Sequence, residues 1–133
     1  MSAREPSYGC GRIRPRCSGA PVRISVCHCL ECRKRARSAF GAQARFLKAN
    51  VETWGEPSAF ARRGGDGSIA TFRFCANCGS TVWRKADSDE ERIAVAIGAF
   101  ANPAFPQPRF SVSDGRKRAR VAFDERLPIE HER

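Results

Sequence analysis

The residues in this sequence that are best able to do chemistry are its cysteines. Cys27, Cys29 and Cys32 fall within six residues, and a second pair, Cys75 and Cys78, follows much later along the chain. Cys-x-Cys and Cys-x-x-Cys are spacings at which a tight turn can direct several thiolates at one ion. The spacing therefore predicts a small zinc protein.

One arrangement of these thiols gives a purely structural site. Two Cys-x-x-Cys pairs, separated by a long insert, would close one tetrahedral zinc site. Its ligands would be Cys29, Cys32, Cys75 and Cys78. The thiols left over would be Cys10, Cys17 and Cys27.

The other arrangement separates the two clusters. The first motif alone would bind one zinc ion with three thiolates, those of Cys27, Cys29 and Cys32. The fourth position would then accept water or a substrate thiol, as in catalytic zinc sites. Cys75 and Cys78 would need a further ligand, and Cys10, which lies in a Gly-flanked turn, is the obvious candidate. The third thiol, Cys27, favours this arrangement because a single structural site does not need it.

Length and cysteine content bound the class of protein. A chain of 133 residues is expected to form one domain. Residues 1–16 are polar and basic, so we expect no signal peptide. The longest apolar stretch, 93–101, is far shorter than the roughly 20 residues of a membrane helix. We therefore expect a cytoplasmic protein without a membrane partner, whose seven cysteines stay reduced and bind metal rather than form disulfides.

The charge is strongly positive and favours anionic partners. The chain has 24 Lys and Arg against 14 Asp and Glu, which gives a net charge of +10 and a pI near 10.0. Such a charge suits partners from nucleic acid to a small acidic metabolite. Nucleic acid is possible but not favoured, because no base-reading helix or stacking platform is evident. Arg33, Lys34 and Arg37, directly after the first motif, are expected either to form a solvated face or, for one or two of them, to bind the carboxylates of an anionic thiol.

Hydrophobic alternation predicts many short strands and one short helix. The helix is expected at 33–38, after the first cysteine cluster, and Gly64 to Gly67 predict a hairpin tip. Short strands joined by metal-bearing turns indicate a mainly β, small α+β domain. The predicted strands are 12–16, 22–26, 40–47, 51–54, 58–62, 69–74, 81–84, 93–97, 110–112 and 119–123.

His28 lies between two predicted ligands. Along an extended chain its side chain points away from theirs. We therefore expect His28 to be packed or hydrogen-bonded rather than bound to metal. His131, in the polar C-terminal stretch, is expected to be inert.

The sequence resembles the glutathione-dependent formaldehyde-activating enzyme family, which includes the centromere protein V-like proteins. The resemblance covers roughly residues 8–125 and is carried by four segments. These are Cys27-His28-Cys29-Leu30-Glu31-Cys32-Arg33-Lys34, Ser38-Ala39-Phe40, Phe74-Cys75-Ala76-Asn77-Cys78-Gly79-Ser80 and Gly98-Ala99-Phe100-Ala101-Asn102-Pro103.

The resemblance implies an Mss4-like zinc-binding β fold with one or two zinc ions. It assigns a catalytic-type zinc to Cys27, Cys29 and Cys32. It assigns a structural zinc to an N-terminal Gly-x-Cys-x-Cys-Gly motif and the later pair, which match Cys10, Cys75 and Cys78.

The sequence departs from the family pattern at two places. Tyr8 stands where the first N-terminal cysteine is expected, so the structural site has three matched ligands, and Cys17 or a water molecule is the candidate fourth. Ala36-Arg37 stands where the family has Thr-Gly. An Arg in place of Gly can alter the turn beside the metal.

The resemblance implies a zinc-dependent carbon–sulfur lyase or synthase. The reaction would resemble that of an S-(hydroxymethyl)glutathione synthase and would join glutathione, or a similar thiol, to formaldehyde or another small carbonyl. The alternative is a non-catalytic, zinc-stabilised basic module that binds nucleic acid or an acidic partner. The expected domain is 8–125, with a flexible tail at 1–7 and a C-terminal tail at 126–133. The sequence makes no prediction of the oligomeric state.

Zinc stoichiometry separates the two arrangements of the thiols. Two zinc ions per wild-type chain, of which Cys27→Ser and Cys75→Ser each lose one, would support separate sites, because each substitution then removes a ligand from a different site. The measurement is zinc per chain by elemental analysis after dialysis. One zinc that Cys75→Ser abolishes and Cys27→Ser retains would support the single structural site instead.

Overall fold

The structure, a computed structural model, describes residues 3–64 and 67–133. It confirms a mainly β, small α+β protein, in which the described residues contain one α-helix, α1 (Leu30–Ala36). No helix among these residues has the length and apolar character that crossing a bilayer requires. The strands are β1 (Ala3–Arg4), β2 (Arg14–Ser18), β3 (Arg23–Cys27), β4 (Gly41–Leu47), β5 (Val51–Trp54), β6 (Ser58–Arg63), β7 (Ile69–Phe74), β8 (Thr81–Ala86), β9 (Arg92–Ala96), β10 (Phe110–Val112) and β11 (Glu130–His131).

The chain divides into two compact units, and the first comprises residues 1–22 and 44–105. Here β2 pairs antiparallel with β1 and β5, while β6, β7, β8 and β9 pair antiparallel in sequence order. Alternation sets which side chains are buried: Pro15 and Cys17 of β2 are buried, whereas Arg14 and Arg16 are exposed. A small apolar cluster of Ile13, Cys75 and Val82, packed against Tyr8 and Trp83, anchors the second cysteine pair.

The second unit comprises residues 23–43 and 106–133. Its β10 lies parallel to both β3 and β11. The rings of His28, Phe40 and Phe123 pack mutually, with centroid distances of 5.6, 5.9 and 6.0 Å. Since α1 begins three residues after the end of β3, the first cysteine motif lies at this junction. β4 begins in this unit and ends in the first.

Two predictions of secondary structure need correction. No strand forms at 119–123, because Val121 N–H bonds the Arg118 carbonyl and the Lys117 ammonium bonds the Val121 carbonyl, so a turn uses these groups. The helix starts at Leu30 rather than near Arg33, because the Cys29 side chain caps it.

The structure bears differently on the predicted tails and on the predicted hairpin tip. β1 and β11, which sequence alternation did not predict, lie within the stretches expected to be tails. The domain boundaries 8 and 125 remain a prediction. β6 and β7 do form an antiparallel pair, but Gly65 and Asp66 of the predicted tip lie outside the described residues.

Arg37 ends α1 in a conformation that favours glycine. Its φ of 54° and ψ of 41° are left-handed, and its N–H bonds the Arg33 carbonyl. A side chain in this region is strained because its Cβ crowds the backbone. Arg37, which stands where the resemblance implies Gly, therefore forms the turn with a strained backbone.

Arg37→Gly is expected to stabilise the protein by about 1 kcal/mol, because glycine adopts the left-handed cap without a Cβ clash. The measurement is urea unfolding at saturating zinc. Lys34→Gly is the matched control within the same helix, and it should destabilise by about 1 kcal/mol. If both substitutions destabilise equally, the cap is not strained.

Candidate metal centres

The structure brings Cys27, Cys29 and Cys32 together as the first thiol cluster. Their Sγ atoms all lie within 4.8 Å of one another. Cys27 is the last residue of β3, Cys29 is the N-cap of α1 and Cys32 is in its first turn. The end of β3 and the start of α1 therefore bring the three thiols together.

Helix capping fixes the central thiol of this cluster. Cys29 has extended backbone angles, φ −61° and ψ 153°, and its Sγ accepts a hydrogen bond from the Cys32 N–H at 3.4 Å. This is the position where Ser or Asp usually satisfies a free helix N–H. A cysteine at the N-cap thus presents sulfur toward the start of the helix.

The thiols of the first cluster perturb one another. Hydrogen bonding from the Cys32 thiol, together with bonds from Cys29 and Ser113, lowers the pKa of Cys27 to about 5 despite partial burial. The same bond to Cys27, with burial, raises the pKa of Cys32 well above its ordinary value. The cluster therefore favours a thiolate on Cys27 with a proton held on Cys32, and a cation would release that proton.

His28 is fully buried and anchors the motif away from the thiols. Its Nε2 lies 2.9 Å from Ser111 Oγ, which donates its own proton to Asp114 Oδ1 at 2.6 Å. We assign the proton of neutral His28 to Nε2 from this network, because Ser111 has only one proton to give. His28 N–H also bonds the Val112 carbonyl at 2.9 Å. The expectation that His28 is packed and hydrogen-bonded is confirmed.

The surroundings of this network lower the pKa values of both His28 and Asp114. Burial lowers the pKa of His28, although the nearby Asp114 carboxylate opposes the shift. The Ser111 hydroxyl and His131, whose Nδ1 lies 3.3 Å from Asp114 Oδ2, lower the pKa of Asp114. His131 is therefore part of the network rather than inert. Sequence reasoning missed Ser111 and Asp114, since no local pattern links them to a motif more than 80 residues away.

The three predicted substrate-binding residues have different surroundings. Arg33 Nε donates to the His28 carbonyl at 2.9 Å, so this side chain braces the cysteine motif. Lys34 forms an exposed pair with Glu31 at 3.4 Å. Arg37 is exposed at the end of α1. Their role in substrate binding remains a prediction.

The structure also brings Cys10, Cys75 and Cys78 together as the second thiol cluster. Their Sγ atoms lie within 4.8 Å of one another, and those of Cys10 and Cys75 are 3.4 Å apart. The Cys75 carbonyl accepts the Gly79 N–H at 2.7 Å, which closes the turn that carries the pair. Gly79 has a φ of 78°, a conformation that a side chain would strain.

Polar neighbours stabilise thiolates in the second cluster. A hydrogen bond from Asn77 lowers the pKa of Cys10. Hydrogen bonding with the hydroxyl and backbone of Ser80 lowers the pKa of Cys78 to about 6. Cys10 and Cys78 are exposed, whereas Cys75 is only 2% exposed.

Cys17, the residue predicted as a possible fourth ligand, does not join the second cluster, and Tyr8 is bonded elsewhere. Tyr8 donates its hydroxyl to the Val82 carbonyl at 2.6 Å, and burial raises its pKa. Cys17 is fully buried in β2, and burial raises its pKa to about 11. Among the described His, Cys, Asp and Glu residues, the structure groups only Cys10, Cys75 and Cys78 at this centre.

Both clusters have the chemistry and dimensions that zinc requires. Zinc–sulfur bonds of about 2.3 Å in a tetrahedron place sulfur atoms about 3.8 Å apart. Both trios lie within 4.8 Å and need only small adjustments to reach that spacing. Cysteine thiolates are also the preferred ligands of structural zinc. The observed fold and sites thus define a small mainly β protein with two candidate three-thiol metal centres.

Comparisons with known proteins give the family. The profile of the glutathione-dependent formaldehyde-activating enzyme family matches residues 4–113, so the chain belongs to this family. A crystal structure of a Rhodobacter sphaeroides protein, determined by structural genomics, is similar with a TM-score of 0.57 and 19% identity. The match covers 74% of this chain and 91% of that chain, and it supports the fold alone. A comparison with curated proteins gives no match.

Ser111→Ala is expected to destabilise the protein by about 1–3 kcal/mol, because it leaves buried His28 Nε2–H without its acceptor. The measurement is urea unfolding at saturating zinc and pH 7.5. Ser88→Ala, at an exposed serine, is the matched control and should change stability by less than about 0.5 kcal/mol. Equal effects of the two substitutions would show that the network contributes nothing.

Proposed function

We propose that the protein is a zinc-dependent carbon–sulfur lyase or synthase that acts on adducts of glutathione, or a similar thiol, with formaldehyde or another small carbonyl. The observation that supports this most directly is the first thiol cluster, whose three sulfur atoms lie within 4.8 Å in a member of this family. Three thiolates satisfy three of the four positions of a zinc site, which is the pattern of catalytic zinc.

The reaction would be a reversible addition. The sulfur of the substrate thiol forms a bond to the carbonyl carbon, the carbonyl π bond becomes a carbon–oxygen single bond, and the thiol proton ends on that oxygen. A zinc ion held by Cys27, Cys29 and Cys32 would hold a bound thiol as its thiolate near neutral pH. Loss of the carbonyl from the adduct is the same sequence in reverse.

The chain's own residues would hold this site rigid. Cys29 is fixed by capping α1, and the His28–Ser111–Asp114 network fixes the backbone between Cys27 and Cys29. Rigid support of ligands typically improves metal affinity by about 10–100-fold. His28 Nε2 is already bonded to Ser111, so we assign it a positioning role and no proton transfer.

Basic side chains next to the cluster would bind the substrate's carboxylates. Arg33, Lys34 and Arg37 lie in or at the end of the helix that carries Cys32. Of these, Arg37 is our first candidate, since Arg33 Nε is bonded to the His28 carbonyl and Lys34 pairs with Glu31. An anionic thiol such as glutathione offers two carboxylates, which suits such a cationic helix face.

The second thiol cluster would hold a stabilising zinc. Cys10 and Cys75, whose thiols are hydrogen-bonded, are 65 residues apart along the chain. An ion that joins them would tie the N-terminal turn to the turn after β7 and so stabilise the first unit. One or two zinc ions per chain are therefore expected, depending on the occupancy of this centre.

Adduct formation tests the proposed function. Exchange NMR with glutathione and formaldehyde should show catalysed exchange for the zinc-loaded wild type and only the uncatalysed rate for Cys29→Ala, because that substitution removes a ligand of the reacting centre. Cys17→Ala is the matched control, since it removes a cysteine that belongs to neither cluster, and it should retain activity. Equal exchange by wild type and Cys29→Ala would contradict the proposal.

A further inference from the structure

The second thiol cluster supplies fewer ligands than zinc coordinates. A structural zinc site takes four protein ligands. Within residues 3–64 and 67–133, the group at this centre contains three, Cys10, Cys75 and Cys78. The geometry therefore leaves one position of a bound ion to be filled from outside this group.

Tyr8, two residues before Cys10, makes other contacts and is a poor candidate for the fourth ligand. Its hydroxyl donates to the Val82 carbonyl at 2.6 Å, and its ring packs against the cluster of Ile13, Cys75 and Val82. Using this oxygen as a ligand would leave the Val82 carbonyl without its donor and require a buried phenol to ionise. Both changes are unfavourable.

The polar groups nearest the thiols are also engaged. Ser80 Oγ lies 3.4 Å from Cys78 Sγ, and the Asn77 side chain bonds the Cys10 thiol. Because the Ser80 and Asn77 side chains are already bonded to the thiols, they are poor candidates to bind the ion. Cys17 is fully buried in β2 and outside the group.

The second cluster is open to solvent. Two of its three thiols, Cys10 and Cys78, are exposed, and only Cys75 is buried. A small molecule can therefore reach an ion held there without displacing core side chains. A zinc centre with three protein ligands and an accessible fourth position has the arrangement that binds exchangeable ligands.

We propose that the centre formed by Cys10, Cys75 and Cys78 is a second open metal site, whose fourth position binds an exogenous low-molecular-weight thiol. Sulfur is the expected donor because three thiolates make the ion soft. This site goes beyond the proposed reaction, but it rests on the proposal that both clusters bind metal.

The test counts thiols bound to the cobalt-substituted protein. Wild type, Tyr8→Cys and Tyr8→Phe would each be loaded anaerobically with Co²⁺, in the presence of a phosphine reductant, and dialysed against 2-mercaptoethanol. Cobalt per chain, bound thiol per chain and sulfur-to-cobalt charge-transfer absorption would be measured. Tyr8→Cys supplies a fourth protein thiol, whereas Tyr8→Phe removes only the hydroxyl.

The proposal predicts one fewer thiol for Tyr8→Cys than for wild type. Wild type should bind two thiols, one at each centre, and Tyr8→Phe should match it. At the second centre of wild type, the thiol should raise the charge-transfer absorption by about one third, because the number of bound thiolates rises from three to four. In Tyr8→Cys the thiol should not change the absorption of this centre. If wild type binds one thiol and Tyr8→Cys binds none, the thiol is bound at the second cluster, which supports this proposal. The same result would contradict the proposed function, which requires the first cluster to bind a thiol.

Three outcomes would overturn the proposal. Equal thiol binding by wild type and Tyr8→Cys would show that the fourth position is not open where Tyr8 stands. A changed cobalt spectrum in Tyr8→Phe would show that the phenol is a ligand. Binding of a single cobalt ion that Cys75→Ser leaves in place would show that the second cluster holds no metal, while leaving the proposed function at the first cluster intact.

Discussion

The close approach of sulfur atoms is the constraint on which the rest of the structure depends. Two thiolates about 4 Å apart repel by about 4 kcal/mol at an effective dielectric constant of 20. Three thiols within 4.8 Å therefore require shared protons or a cation. Without a cation, the first cluster concentrates charge on Cys27, whose pKa falls to about 5, and keeps Cys32 protonated. With a cation, the same geometry becomes favourable, so the fold holds the thiols ready for metal.

The two units meet this constraint with different means. In the second unit the three thiols are neighbours in sequence, and the fold needs only to fix a strand end, a helix cap and the buried His28 between them. In the first unit the thiols come from two distant turns, and the apolar cluster around Val82 brings those turns together. The thiols of the first cluster are close in sequence, whereas Cys10 and Cys75 of the second cluster are 65 residues apart, so the two centres should differ in how strongly metal binding is coupled to folding.

Local patterns predicted most of the strands, and the cysteine spacing left two groupings of the thiols open, of which the structure forms the two separate clusters. Alternation located β5 and β7 at their observed bounds, because side chains that alternate between core and solvent leave a period of two in the sequence. It failed at 119–123, where side chains alternate but the backbone groups are used in a turn. It also could not reveal Ser111 or Asp114, since buried hydrogen bonds across more than 80 residues leave no periodic signal. The helix start was misplaced because a cysteine N-cap is not among the usual capping residues.

The parallel pairing of β3 with β10 has a consequence for the order of folding. The second unit is built from residues 23–43 and 106–133, so the whole stretch 44–105 must be made before β10 and Ser111 can reach the first thiol cluster. During synthesis, Cys27, Cys29 and Cys32 therefore leave the ribosome long before the strand and the hydroxyl that lock their motif. For that interval, the nascent chain presents three adjacent thiols without their support, vulnerable to oxidation and mismetallation, and early zinc capture would protect them.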